Sequence, residues 1–86
     1  MEGSRELLEE FHKYVKHWMK VSPDQVRGFL GLLESVEKPK ALDKKVKELI
    51  AVALAVNAHC PWCIAYHVSE ALKAGASPDE IREAAW

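Results

Sequence analysis

The sequence contains no apolar run long enough to cross a membrane. Its longest uninterrupted run, residues 49–56, has eight residues, whereas a spanning helix needs about 20. The N-terminal segment MEGSRELLEE is acidic and helix-forming, unlike the basic and then apolar pattern of a secretory signal peptide. We therefore expect a cytoplasmic protein with no membrane partner.

An excess of charge of one sign is also absent. Twelve lysines and arginines accompany thirteen aspartates and glutamates, which gives a formal net charge of −1. The densest basic stretch, EKPKALDKKVKE, has neither an arginine to grip phosphate nor an aromatic side chain to stack on a base. The charge balance therefore argues against nucleic acid as a partner, and the basic stretch is typical of a solvated helix start.

Linkers and strand-like patterns are missing as well. No stretch rich in Gly, Ser or Pro divides the chain, and apolar and polar residues do not alternate with the period of a strand. We therefore expect a single domain over residues 1–86. Apolar residues make up 49% of the sequence, which exceeds what so small a core needs and predicts a homo-oligomer.

Helical periodicity is the pattern that the sequence does have. Apolar residues recur at three- and four-residue intervals and predict an all-α fold of about five helices. The predicted helices cover about residues 4–20, 22–38, 43–58, 61–74 and 77–86. Ser22 with Gln25 and Ser77 with Glu80 match capping boxes, and Asp43 is a suitable N-cap.

The chain has two cysteines, which lie close together in the segment NAHCPWCIAYH. Pro61 fits the first position of a helix, so that Cys60 becomes the N-cap and Cys63 the third helical residue. Both sulfurs would lie at the positive end of a helix dipole, which favours thiolate over thiol. His67 lies one turn after Cys63 on the same face, where its imidazole can accept the thiol proton.

Glu48 is a carboxylate at the edge of an apolar helix face. Ten residues follow it of which only Asn57 is polar, and a carboxylate in such a position needs a partner. If the third and fourth helices pack antiparallel, Glu48 comes within reach of His67. A carboxylate that orients a histidine beside a cysteine is the general arrangement of a catalytic triad. The alternative is a partly exposed Glu48 that pairs with Lys44 or Lys45.

Glu48, Cys60, Cys63 and His67, separated by eleven, two and three residues, resemble the motif of the AhpD-like branch of the carboxymuconolactone decarboxylase family. The similarity extends over about residues 42–81 and includes the segment AGASPDEI. The resemblance implies an all-helical fold that works as a trimer or hexamer. It also implies an alkylhydroperoxidase activity in which Glu48 and His67 relay protons to the cysteine pair.

The order of the thiol chemistry also follows from the resemblance. Cys63 attacks the hydroperoxide and Cys60 resolves the product to a disulfide, so that this disulfide serves as the redox group and no separate cofactor or metal is implied. A dithiol of lipoyl or thioredoxin-like type then reduces it. Cys60, at the cap, is expected to lie nearer solvent and to be the sulfur that this dithiol attacks. Relatives of this kind continue the last helix beyond the position of Trp86, so we expect a form shortened at its C-terminus.

Other interpretations stay open at the level of sequence. His59, Cys60, Cys63 and His67 have zinc-type side chains, and Cys63 and His67 could chelate one ion. The chain could also be a helical assembly module with vestigial cysteines. Decarboxylation of a lactone, as in the family's naming member, has no evident need for paired cysteines. The sequence assigns no role to His59.

Overall fold

The computed structural model describes residues 3–86, and this range forms five α-helices and no strand. The helices are α1 (Ser4–Val21), α2 (Pro23–Glu37), α3 (Lys44–Asn57), α4 (Pro61–Lys73) and α5 (Pro78–Ala85). The predicted all-α fold is confirmed, and the observed bounds lie close to the predicted ones. None of the described helices is long and apolar enough to span a bilayer.

Side-chain caps start α3 and α5 as the sequence predicts. The Asp43 carboxylate accepts a hydrogen bond from the Val46 backbone N–H at 2.8 Å. Ser77 and Glu80 form a reciprocal capping box. Each cap satisfies backbone donors that have no partner inside the helix, which fixes where the helix begins.

The capping box predicted at Ser22 and Gln25 does not form. Ser22 makes no side-chain cap on α2, and its backbone N–H donates instead to Trp18 O at the end of α1. Its φ of −138° and ψ of 64° differ from the extended conformation of the other caps. Because one residue ends α1 and precedes α2, its hydroxyl is not directed at the start of α2.

The turn between α3 and α4 determines where the cysteines lie. His59 has a φ of 53°, in the left-handed region where His is enriched among non-glycine residues. The backbone N–H of His59 donates to Val56 O at 3.1 Å, and that of Cys60 donates to Ala55 O at 3.3 Å. This pair of bonds is a Schellman motif. It ends α3, lets α4 pack back along it, and gives His59 a structural role.

The hydrophobic core lies where α3, α4 and α5 meet. Its buried members are Val52, Ala71, Ala76 and Ile81, with Leu49, Val56 and Val68 packed against them. The small alanines let the helices approach closely. Glu48 is 1% exposed, so a carboxylate is buried beside this core and needs partners there.

Apolar side chains remain exposed on two neighbouring helices. On α2 they are Phe29, Leu32 and Val36, and on α3 they are Val46, Ile50 and Leu54. In each helix they recur at three- and four-residue intervals and so form a stripe. Stripes of this kind in so small a domain indicate a surface that a partner covers.

We predict that the protein is an obligate oligomer, with a trimer or hexamer as the expected size. Light scattering at micromolar concentration should give an oligomer's mass because association removes the α2 and α3 stripes from water. Leu54→Glu, which places a charge in the α3 stripe, should lower that mass. Glu83→Gln, at an exposed position of α5, is the control and should not. A stable wild-type monomer would contradict the prediction.

Candidate active site

Cys60 and Cys63 form a disulfide at the start of α4. Cys60 is the N-cap, and its Sγ accepts a hydrogen bond from the Cys63 backbone N–H at 3.2 Å. Pro61 occupies the first helical position, as predicted. Both sulfurs therefore lie at the N-terminal end of a helix, where the dipole stabilises negative charge.

The two cysteines differ in exposure. Cys63 is exposed and Cys60 is half-buried, so the prediction that Cys60 lies nearer solvent is wrong. The reason is the helical turn before it, in which the Cys60 backbone N–H is bonded to Ala55 O. This bond holds the cap residue against the end of α3, while Cys63 emerges on the first turn of α4.

Glu48 and His67 meet between α3 and α4. Nδ1 of His67 lies 2.8 Å from Oε2 of Glu48, and the side chains are 20% and 1% exposed. An ionised carboxylate only accepts hydrogen bonds, so the contact places a proton on Nδ1 and leaves Nε2 as the acceptor of the ring. The contact expected from an antiparallel α3–α4 pair is present.

Lys44 is a second partner of Glu48. Its Nζ lies 3.0 Å from Glu48 Oε1 and 3.1 Å from Glu37 Oε2. The Glu37 contact is a hydrogen bond, whereas the Glu48 contact lies outside hydrogen-bonding angles and is an ion pair. Burial lowers the pKa of Lys44, but the two carboxylates outweigh this effect and raise its pKa above the ordinary value. Glu48 thus contacts both Lys44 and His67, and it is buried rather than partly exposed.

Glu37 is the site residue that sequence analysis missed. It is the last residue of α2, its side chain is 14% exposed, and its Oε1 lies 3.9 Å from His67 Nδ1. Lys47 Nζ holds this end of α2 by donating to Val36 O and Lys38 O at 3.0 and 2.6 Å. The available signal was a glutamate in the last turn of a helix, where negative charge opposes the dipole. Its partners, however, depend on how α2 packs beside α3.

A small cavity connects Cys63 with His67. It has a volume of about 140 Å³, and both residues line it. The other lining residues are Phe11, Phe29, Leu33, Trp62 and Tyr66. These walls are largely apolar, so charge that develops between the sulfur and the imidazole is only partly screened by water.

Tyr66 forms the wall beside the histidine. Its ring lies edge-on to that of His67 with centroids 5.0 Å apart, and it packs on Phe11 at 5.4 Å. Burial, followed by the nearby carboxylates, raises the pKa of Tyr66 to about 12. The phenol therefore stays protonated near neutral pH and adds no charge to the site.

A larger apolar cleft adjoins the small cavity. Its volume is about 680 Å³, and it lies between α1 and α2. Phe11, Phe29 and Trp62 line both spaces. The cleft and the cavity at Cys63 therefore share an apolar wall.

The side chains that could bind a metal ion divide into two groups. Cys60 and Cys63 are bonded to each other. Within residues 3–86, ligand atoms of Glu37, Glu48 and His67 lie within 4.8 Å of one another. The Lys44 ammonium contacts both of these carboxylates and supplies a positive charge beside them.

Comparison with a solved structure supports this fold. A Legionella pneumophila carboxymuconolactone decarboxylase family protein, known from its apo crystal structure, superposes with a TM-score of 0.88 at 36% identity. The match covers 94% of this chain and 72% of that protein.

Two curated relatives are similar in sequence. An uncharacterized protein in the cox locus of Paracoccus denitrificans is 50% identical over 59 residues, which are 69% of this chain and 53% of that protein. An uncharacterized protein of Cupriavidus necator is 36% identical over 76 residues, 88% of this chain and 67% of its own length. The chain thus spans about half to two thirds of the length of these relatives.

The family assignment rests on a match to the sequence model of a family. The sequence model of the Carboxymuconolactone decarboxylase family matches residues 23–86. This range includes α2 to α5, and with them the cysteine pair and the charged cluster around His67. The chain therefore belongs to the carboxymuconolactone decarboxylase family.

Proposed function

We propose that the protein is a thiol-dependent peroxidase of the AhpD-like type, which reduces organic hydroperoxides through Cys60 and Cys63. The observation that carries the proposal is the contact between Glu48 and His67 at 2.8 Å, on a histidine that shares a cavity with Cys63. A buried carboxylate, a histidine and a cysteine in this order form a proton relay to a nucleophile.

The oxidising half-reaction uses Cys63 as the nucleophile. His67 Nε2 accepts the thiol proton, and the resulting thiolate attacks one oxygen of the hydroperoxide. An S–O bond forms as the O–O bond breaks, and the leaving alkoxide takes the proton from the imidazolium and departs as the alcohol. Cys63 is left as a sulfenic acid. Glu48 stabilises the imidazolium between the two proton transfers.

Cys60 resolves this sulfenic acid. Its thiol sulfur attacks the Cys63 sulfur, so that an S–S bond forms, the S–O bond breaks and the hydroxide leaves with the thiol proton as water. A lipoyl-type or thioredoxin-like dithiol then reduces the disulfide. Because Cys63 is the exposed member, we propose that this dithiol attacks Cys63, which revises the sequence-based expectation. The departing Cys60 thiolate is stabilised by the Cys63 N–H at 3.2 Å.

The apolar cleft favours hydroperoxides that carry an apolar organic group. Its volume of about 680 Å³ lies in the range of small-molecule sites, and it shares walls with the cavity at Cys63. Hydrogen peroxide has no organic group that could occupy this apolar surface.

We predict that one equivalent of cumene hydroperoxide removes both thiols of the reduced protein together and yields one equivalent of the alcohol. Thiol titration and chromatography of the product measure these two quantities. Protein blocked beforehand with iodoacetamide is the control and should form no alcohol. Thiols that persist in the presence of hydroperoxide would rule the proposed function out.

A further inference from the structure

Glu37 occupies a position that is locally unfavourable. It places a carboxylate at the C-terminal end of α2, a helix whose last turn has no basic residue and whose dipole opposes negative charge there. Its side chain is 14% exposed, and its Oε1 is buried without a hydrogen bond. Local conflicts of this kind are expected where a residue serves a site rather than the fold.

The charges around His67 show that Glu37 offsets the ammonium of Lys44. The carboxylates of Glu37 and Glu48 contact the single ammonium of Lys44. Among these groups in direct contact, one negative charge is uncompensated beside a neutral imidazole, and an imidazolium would balance it. Unpaired buried charge is costly, so the second carboxylate matters when the relay places a proton on His67. Without Glu37, Lys44 would cancel Glu48 instead.

We propose that Glu37 is a positioning residue of the proton relay, which neutralises Lys44 and so keeps the charge of Glu48 available to the His67 imidazolium. This role rests on the proposed function, in which the Cys63 thiol supplies the proton that His67 accepts. Lys44 has the opposite effect, because its ammonium pairs with the same Glu48 carboxylate that lies 2.8 Å from His67.

The other charged groups around this part of α4 have partners of their own. Tyr66 stays neutral, and α1 contributes the apolar ring of Phe11 to the cavity wall. The ammonium of Lys47 lies at the end of α2 near Glu37, donates to Val36 O and Lys38 O, and is unchanged in every variant below. The remaining contacts are Glu70 with Lys73 on α4, Glu10 of α1 with Trp62, and Glu80 of α5 with Lys45. We therefore expect substitutions of Glu37 and Lys44 to act on His67 more strongly than substitutions of these other groups.

The oxidised protein gives the clearest test, because no thiol titrates while the disulfide is intact. NMR should follow the His67 ring across pH. In Glu37→Gln the titration midpoint should move to lower pH by on the order of 1 unit, because a nearby carboxylate is lost. In Lys44→Gln it should move to higher pH, and the double variant should return close to wild type.

Matched controls remove charges of the same sign on the same two helices. Asp24→Asn removes a carboxylate that is 91% exposed in the first turn of α2, and Lys45→Gln acts on the lysine that pairs with Glu80. Both should leave the His67 midpoint close to its wild-type value. Thermal unfolding should show that Glu37→Gln stays folded, since the amide keeps the shape and removes an unfavourable helix-end charge.

Shifts of Glu37→Gln and Lys44→Gln in the same direction, or shifts no larger than those of the controls, would overturn the inference. A merely structural role would lower the unfolding temperature without opposite shifts in the titration. If one variant does not fold, the shift of the other, compared with its control, still tests the inference, because each variant has its own expected direction of shift. The measurement needs no peroxide, so a failure of the proposed function remains distinguishable from a failure of this inference.

Discussion

Cys63→Ser is expected to abolish the reaction with hydroperoxide, whereas Cys60→Ser should consume about one equivalent and then stop. Cys63 shares the cavity with His67 and is the exposed member of the pair. Without Cys60 the sulfenic acid forms but has no thiol to resolve it. A colorimetric assay of residual peroxide against reduced protein measures both results.

The two variants are well matched in structure. Serine is a good N-cap, so Cys60→Ser keeps a side chain that can accept from the backbone N–H of residue 63, as Cys60 does at 3.2 Å. Cys63→Ser leaves Cys60 and its position on α4 unchanged. Consumption of an equivalent of peroxide by Cys63→Ser would contradict the assigned order.

Glu48→Gln should slow the reaction of the reduced protein with cumene hydroperoxide by roughly 10- to 100-fold, in analogy with losses seen when a histidine loses its supporting carboxylate. The amide keeps the shape of the side chain and removes the charge that stabilises a protonated His67. The second-order rate constant, measured by stopped-flow fluorescence, reports the loss. An unchanged rate in the folded variant would remove Glu48 from the relay.

A control for Glu48→Gln is Glu9→Gln at an exposed position of α1. It removes the same charge away from the cluster and should leave the rate unchanged. Thermal unfolding of both variants separates an effect on the chemistry from an effect on the fold. Some loss of stability is expected in Glu48→Gln alone, because Lys44 loses one of its two carboxylate partners.

The sequence predicted the part of the site that lies on one helical hairpin. Asp43 and Pro61 determine where α3 and α4 begin, and regular helical spacing then specifies the positions of Glu48 and His67. Because the turn between the helices is short, their contact could be predicted from spacing. The same reasoning correctly placed Cys60 as an N-cap.

The features that the sequence did not predict depend on contacts between separate elements. Glu37 joins the site because α2 packs beside α3, where Lys44 and Lys47 bond to the end of α2, and no local spacing encodes that packing. The relative exposure of Cys60 and Cys63 depends on the Schellman turn that ends α3. Ser22 fails as a cap because α1 ends at the same residue.

Trapping of the sulfenic acid with dimedone in Cys60→Ser and Cys63→Ser, followed by tandem mass spectrometry, tests the assigned nucleophile most directly. After one equivalent of cumene hydroperoxide, we expect an adduct on Cys63 in Cys60→Ser and none on Cys60 in Cys63→Ser. The reverse pattern would contradict the account, because it would mean that the Cys63 N–H beside Cys60 Sγ, rather than His67, selects the reactive sulfur.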